Sequence, residues 1–240
     1  MTDRNEASLG LEICVDSLRG AELAQAGGAD RIELCSELAL DGLSPGDALL
    51  RSVRAAVALP IVVMVRPLPG PFRATAETLG AMRDEVRRAR DEGSEGLVLG
   101  LLRDDDTVDT EAVASLVEAA GDLPVTFHRA FDATPDASAA LASVRSAGVA
   151  RVLSSGHAPD AVTGAEGLAS LVAASGPSPE IVVGGGVRPA NVAELVERTG
   201  ARWFHSSAWG RGEPSVEPVR ALRKALDRSR PTGSGSSPMR

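Results

Sequence analysis

Eight short runs rich in β-branched residues, separated by stretches with helix-start and helix-stop chemistry, constrain this 240-residue chain more than any other feature. The runs are Leu11 to Val15, Arg31 to Cys35, Pro60 to Arg66, Gly96 to Leu101, Pro124 to Arg129, Arg151 to Ser155, Glu180 to Gly184 and Arg202 to Ser206. Most are followed by residues that cap or open helices: Ser17, Ser44-Pro45-Gly46-Asp47, Thr75, Asp109-Thr110-Glu111, Thr134-Pro135-Asp136 and Arg188-Pro189. Glycines 27, 93, 121, 148, 176 and 200 stand where those helices should stop. Eight strand–helix units in a chain of this length predict an α/β fold, a (β/α)8 barrel formed as one domain over 10–228, since about 250 residues is typical of that architecture. A doubly wound open sheet competes poorly. No strand-turn-helix carries G-x-G-x-x-G, Gly184-Gly185-Gly186 runs on to Pro189, and no glycine precedes a lysine as a Walker loop requires. Residues 1–9 and 229–240 are polar or rich in Ser, Gly and Pro and read as disordered ends.

Composition removes several function classes. With 25 Lys and Arg against 33 Asp and Glu, the net charge of −8 repels nucleic acid and anionic lipid. Aromatic residues are 2% of the chain and tyrosine is absent, so base-stacking platforms are missing. The start of the chain lacks an apolar signal region and no apolar run approaches the ~18 residues of a membrane span, which predicts a cytoplasmic protein without a membrane partner. Two cysteines are too few for a disulfide framework and suit a reducing compartment. The single lysine, Lys224, falls in the last helix, which disfavours Schiff-base chemistry at the strand ends.

In a (β/α)8 barrel, function gathers where strands run into the βα loops. Strand 1 reads Leu11-Glu12-Ile13-Cys14 and strand 2 reads Ile32-Glu33-Leu34-Cys35. Alternation turns the aliphatic residues of both strands to the helices and Glu12, Cys14, Glu33 and Cys35 into the barrel. Buried carboxylates need cations or several donors. The expected partners are Arg66 at the end of strand 3 and His128 and Arg129 at the end of strand 5, with His205 on strand 8 beside strand 1. Two thiols at matching positions on strands ~4.8 Å apart can grip one soft ion, and two thiolates suit Cu(I). At strands 7 and 8, Gly185, Gly186, Ser206 and Ser207 form a candidate anion site, because glycine lets backbone N–H groups approach a phosphate. Ser154-Ser155-Gly156 is expected to add hydroxyls to the same mouth, and His157 to be exposed.

These residues also carry a family resemblance. Leu-Glu-Ile-Cys-Val-Asp-Ser at 11–17, Gly-Ala-Asp-Arg-Ile-Glu-Leu-Cys-Ser at 28–36, Val65-Arg66-Pro67, Val-Thr-Phe-His-Arg-Ala-Phe-Asp at 125–132, Ser154-Ser155-Gly156 and Phe-His-Ser-Ser-Ala at 204–208 resemble the CutC family, the copper-homeostasis proteins, from about Leu11 to Trp209. The resemblance implies a TIM barrel, a cytosolic setting, self-association as a dimer or tetramer, and a proposed Cu(I) role with Cys14 and Cys35 as ligands. After strand 3 the chain departs from the family's Arg-Gly-Gly and Phe-x-Tyr-Ser. It reads Leu-Pro-Gly-Pro-Phe-Arg-Ala-Thr at 68–75, where Arg73 is the candidate replacement for the family's arginine.

Two functions follow. One is a cytosolic copper-homeostasis protein binding Cu(I) through Cys14 and Cys35. The other is an enzyme acting by acid/base chemistry on a small anionic or phosphorylated substrate, with Glu12, Glu33, Arg66, His128, Arg129, Asp132 and His205 as the polar set at the mouth. There Glu33 or His128 is the expected general base, and Arg66 and the Gly185-Gly186 backbone the expected stabilisers of negative charge. A hard-metal variant uses Glu12, Glu33 and His128 or His205.

Overall fold

A computed structural model of the chain describes residues 8–209 and 214–229. Eight parallel strands close into a barrel in the order of the sequence, with β8 pairing back to β1. They are β1 (Gly10–Val15), β2 (Arg31–Leu34), β3 (Ile61–Met64), β4 (Gly96–Leu99), β5 (Val125–Phe127), β6 (Arg151–Ser154), β7 (Glu180–Val183) and β8 (Trp203–Ser206). The alternating helices are α1 (Leu18–Gly27), α2 (Asp47–Ala56), α3 (Ala76–Asp91), α4 (Thr110–Ala120), α5 (Ala137–Ser146), α6 (Ala165–Ser175), α7 (Val192–Thr199) and α8 (Val216–Arg228). The predicted fold class and all eight predicted strands are present. No helix among the described residues is long and apolar enough to cross a membrane.

Four of the anticipated caps close their helices. Ser17, Thr75, Asp109 and Asp136 each accept a first-turn N–H, satisfying a donor that the helix leaves open. Two starts differ. Helix α2 opens behind Gly46 without a side-chain cap, because the Ser44 hydroxyl accepts the Arg66 N–H and donates to Glu85 instead. Helix α7 opens only at Val192, after Asn191 has accepted the Arg188 N–H.

The main core lies between the sheet and the helices, where Leu11, Ile13, Val15, Ile32 and Leu34 are fully buried. A second, smaller cluster of Cys14, Cys35, Val62, Met64 and Val98 fills part of the barrel interior. At the opposite end from the βα loops, a Cβ on Gly10 would overlap the Trp203 ring, and the Arg31 guanidinium stacks on that ring 4.1 Å from its centroid.

Strand stagger corrects one expectation about the twin motif. Glu12 pairs with Arg31 and Cys14 pairs with Glu33, so the cysteines do not stand at matching positions. Closing eight tilted strands requires such a shear, and the second Glu-x-Cys is carried two residues toward the mouth. The disorder expected of 1–9 and 229–240 falls almost wholly outside the described residues. Inside them, Leu9 is buried and its carbonyl accepts from Arg223, while the Ser229 N–H closes the last turn of α8.

Candidate functional site

Glu12 is the most deeply enclosed charge in the barrel and is met from both sides. Arg31 Nε lies 2.5 Å from Oε2 and His205 Nδ1 lies 2.7 Å from Oε1. Burial alone would raise the Glu12 pKa, but the Arg31 charge and the His205 contact outweigh it and bring it down to about 2. His205 moves the other way. Burial disfavours its charge, yet the Glu33 charge and the Glu12 hydrogen bond win and hold its pKa above the ordinary value. Glu33, level with Cys14, has its pKa raised, chiefly by burial. Its Oε2 is buried without a hydrogen-bond partner, the situation of an atom that a ligand would satisfy.

Cys14 stands level with Glu33, and Cys35 follows two residues after Glu33 along the chain. Cys14 Sγ and Cys35 Sγ are 3.6 Å apart, and the Cys35 thiol also reaches the Val15 carbonyl at 3.5 Å. The contact with Cys35, burial and the Glu33 charge all keep Cys14 a thiol rather than a thiolate. Cys14, Glu33 and His205 each offer a ligand atom, and the three lie within 4.8 Å of one another. Met64 packs in the same small cluster and brings a thioether to the same wall.

The cations expected to meet the carboxylates are engaged elsewhere. Arg66 donates to the carbonyls of Leu40, Gly42 and Gly70 and lies over Phe72, so it ties two loops together. His128 is buried and pressed against Phe72 and Phe127. Burial, helped by the Arg66 charge, lowers its pKa to about 3. Its Nδ1 accepts the Ala130 N–H, which leaves Nε2 as the protonated nitrogen and makes this ring a neutral donor rather than a base.

Arg129 donates to Asp132 and to the Ser155 hydroxyl. Asp132 gathers Ser154 Oγ, Ser155 N and Oγ, and the His157 N–H, and so organises the β6 loop. The Ser154 and Ser155 hydroxyls expected at the mouth are thereby consumed. His157 is half-buried against Phe131 rather than exposed, with its Nε2 sealed from solvent. Arg73 pairs with Asp104 and Asp106 and is absent from the lining of the cavity at the mouth.

A cavity of about 410 Å³ joins the remaining parts. It is lined by Cys14, Glu33, Met64, His128, Arg129, His205, Gly185, Gly186, Arg188, Ser206 and Ser207, together with Leu38, Asp41, Phe72 and Leu153. Of the predicted set, Arg66, Asp132, Glu12 and Cys35 lie outside the lining, the last two directly behind it. The Ser206 hydroxyl donates to the Val187 carbonyl and accepts from Ala208 and Arg188, whereas Ser207 Oγ accepts from Arg188 alone among the described residues, at 3.5 Å. Sequence reasoning missed Arg31, Met64 and Arg188. Arg31 lies two residues before Glu33, on the same face of β2, a signal that alternation contains, while Met64 reads as core and Arg188 sits in a loop.

Known proteins share this arrangement of chain. The CutC family model matches residues 9–210. A family protein CutC from Caulobacter vibrioides is 43% identical over 208 residues, covering 87% of this chain and 84% of that one. The human copper homeostasis protein cutC homolog is 39% identical over 198 residues, covering 82% and 72%. A crystal structure of the putative copper homeostasis protein CutC from Streptococcus agalactiae superposes with a TM-score of 0.78 at 29% identity, covering 83% of this chain and 98% of that one. The barrel, the twin Glu-x-Cys strands and these relatives together place the chain in the CutC family.

Proposed function

We propose that this protein binds Cu(I) at the mouth of its barrel and serves copper homeostasis in the cytoplasm. The observation that carries this reading is the pair of sulfurs 3.6 Å apart, with Cys14 in the cavity lining and Cys35 behind it. A metal–sulfur bond of about 2.3 Å lets one ion touch both. Soft thiolates beside a thioether favour Cu(I) over harder ions, and His205 and Glu33 stand within reach of the same position. Because Cys14 is held as a thiol, binding must release protons. Anaerobic Cu(I) titration against a competing chelator is the test. Cys14→Ser and Cys35→Ser are each expected to weaken binding at least about tenfold, since even outer-shell partners of a metal cost 10–100-fold. Wild-type affinity in both variants ends the copper reading.

A second reading is favoured by one specific feature, the buried Glu33 Oε2 without a hydrogen-bond partner, on the same cavity as a neutral His128 donor. A carboxyl with a raised pKa opposite an N–H donor suits acid/base chemistry on a small anionic substrate. His205, Glu12 and Arg31 then serve to position and neutralise rather than to transfer the proton. Glu33→Gln removes that group with little change of shape, and turnover that survives it sinks this reading.

A further inference from the structure

The β7–β8 edge of the cavity has a feature that neither thiol chemistry nor the Glu33 floor requires. Arg188 lines the cavity and forms no ion pair with any described residue. Its Nη1 donates to the Val187 carbonyl and Ser206 Oγ, and its Nη2 to Ser207 Oγ, all neutral acceptors. An unneutralised guanidinium in a confined mouth repels an arriving metal cation, and in a chain of net charge −8 it is a local exception to the overall field. It makes physical sense as part of a site for an anion.

The neighbouring groups complete such a site. Gly185 and Gly186 both have positive φ, 91° and 77°, and neither N–H meets an acceptor among the described residues. A Cβ on Gly185 would come 2.8 Å from Ser155 Cβ and 3.3 Å from Arg129 Cζ, so this bare stretch of backbone lies directly against the second guanidinium. Arg129 spends Nε on Asp132 and Nη2 on Ser155 Oγ, leaving Nη1 uncommitted. Of the acids nearby, Asp132 pairs with Arg129 at 2.9 Å, Asp160 beneath Gly186 accepts from Thr163, and Asp41 lines the cavity from the loop after β2, so Arg188 is the lining arginine left without an ion pair among the described residues.

We infer that Arg129 and Arg188, with the Gly185 and Gly186 N–H groups between them, hold the phosphate of a small phosphate monoester whose body lies over Glu33 and His205. Arg129 Nη1, the Arg188 N–H groups not already used and two peptide donors put several N–H groups along one edge of the cavity, which suits a three-oxygen tetrahedral anion better than a planar carboxylate. A cavity of about 410 Å³ accommodates a small metabolite. The inference rests on the second reading above for what happens to the ligand, but not for its binding.

The test is titration of the full chain with inorganic phosphate and with glycerol 3-phosphate, glycerol serving as the neutral control, followed by ³¹P NMR and calorimetry. Both phosphates are expected to bind and glycerol not to. Arg188→Gln should weaken phosphate at least about tenfold, the value of one charge-assisted contact. If that variant does not fold, Arg188→Lys keeps a point charge without the fork and must still bind phosphate more weakly than wild type. Arg73→Gln, which removes a guanidinium that pairs with Asp104 and Asp106 and does not line the cavity, should leave phosphate affinity within about twofold, and because binding rather than turnover is read, the outcome stands apart from both readings of the floor. Failure of wild type to bind either phosphate, equal binding of glycerol, or wild-type affinity in the Arg188 variant overturns the inference.

Discussion

Arg31→Met is expected to lower folding stability by about 3–5 kcal/mol, the range for removing one partner from a buried ion pair. Arg31 and Glu12 are both almost completely buried, and Arg31 is the one arginine paired with the Glu12 carboxylate among the described residues. Removing it leaves that charge with His205 alone and also strips the face of Trp203 of its stacked guanidinium. The cost comes from the stranded carboxylate rather than from the value of the pair, so Arg31→Met combined with Glu12→Gln should recover a large part of it. Urea unfolding at pH 7 of the two single variants and the double variant measures this coupling. A loss under about 1 kcal/mol for Arg31→Met, or strict additivity in the double variant, contradicts the account.

Acid should destabilise the fold in two separable stages. His128 has an ordinary value of 6.5 and a folded value of about 3, so between those limits the unfolded chain takes a proton that the folded chain refuses. Its contribution to stability therefore falls as pH falls through that window. Integrated from pH 6 to pH 4, one such proton amounts to about 2–3 kcal/mol. Glu12, lowered from 4.5 to about 2, adds its own loss only below pH 4.5. Glu33 opposes both, because burial raises its folded value above 4.5. His205 is neutral in this comparison. Its raised value makes its contribution complete below 6.5 and lost only as pH rises through the folded value. The difference between the wild-type and His128→Gln stability profiles isolates the first stage. A difference that stays constant from pH 6 to pH 4 removes His128 as its cause.

Much of the fold was legible because strands buried on both faces leave continuous apolar runs, and the caps Ser17, Thr75, Asp109 and Asp136 punctuate them. Alternation also assigned Glu12, Cys14, Glu33 and Cys35 to the interior correctly. What alternation does not carry is depth. The barrel's shear decides which residue of β2 stands level with which residue of β1, and it put Arg31 beside Glu12 where sequence reasoning had looked to Arg66. The arginines at strand ends were harder still. Their guanidinium groups reach about as far as a loop is wide, and loop carbonyls or the Asp132 carboxylate captured them before the barrel floor did. Met64 was invisible for the opposite reason, since an inward thioether reads as ordinary core.

The stepped register of β1 and β2 has a bearing on how this chain can vary. Two copies of one apolar-Glu-apolar-Cys pattern become a staircase of unlike steps: an ion pair at Glu12 and Arg31, a thiol level with a carboxylate at Cys14 and Glu33, and a sealed thiol at Cys35. Repetition along the chain therefore does not make the copies interchangeable in space. The same substitution made in each, Glu12→Gln against Glu33→Gln or Cys14→Ser against Cys35→Ser, acts on a different tread, and a change tolerated in one strand is no guide to its twin.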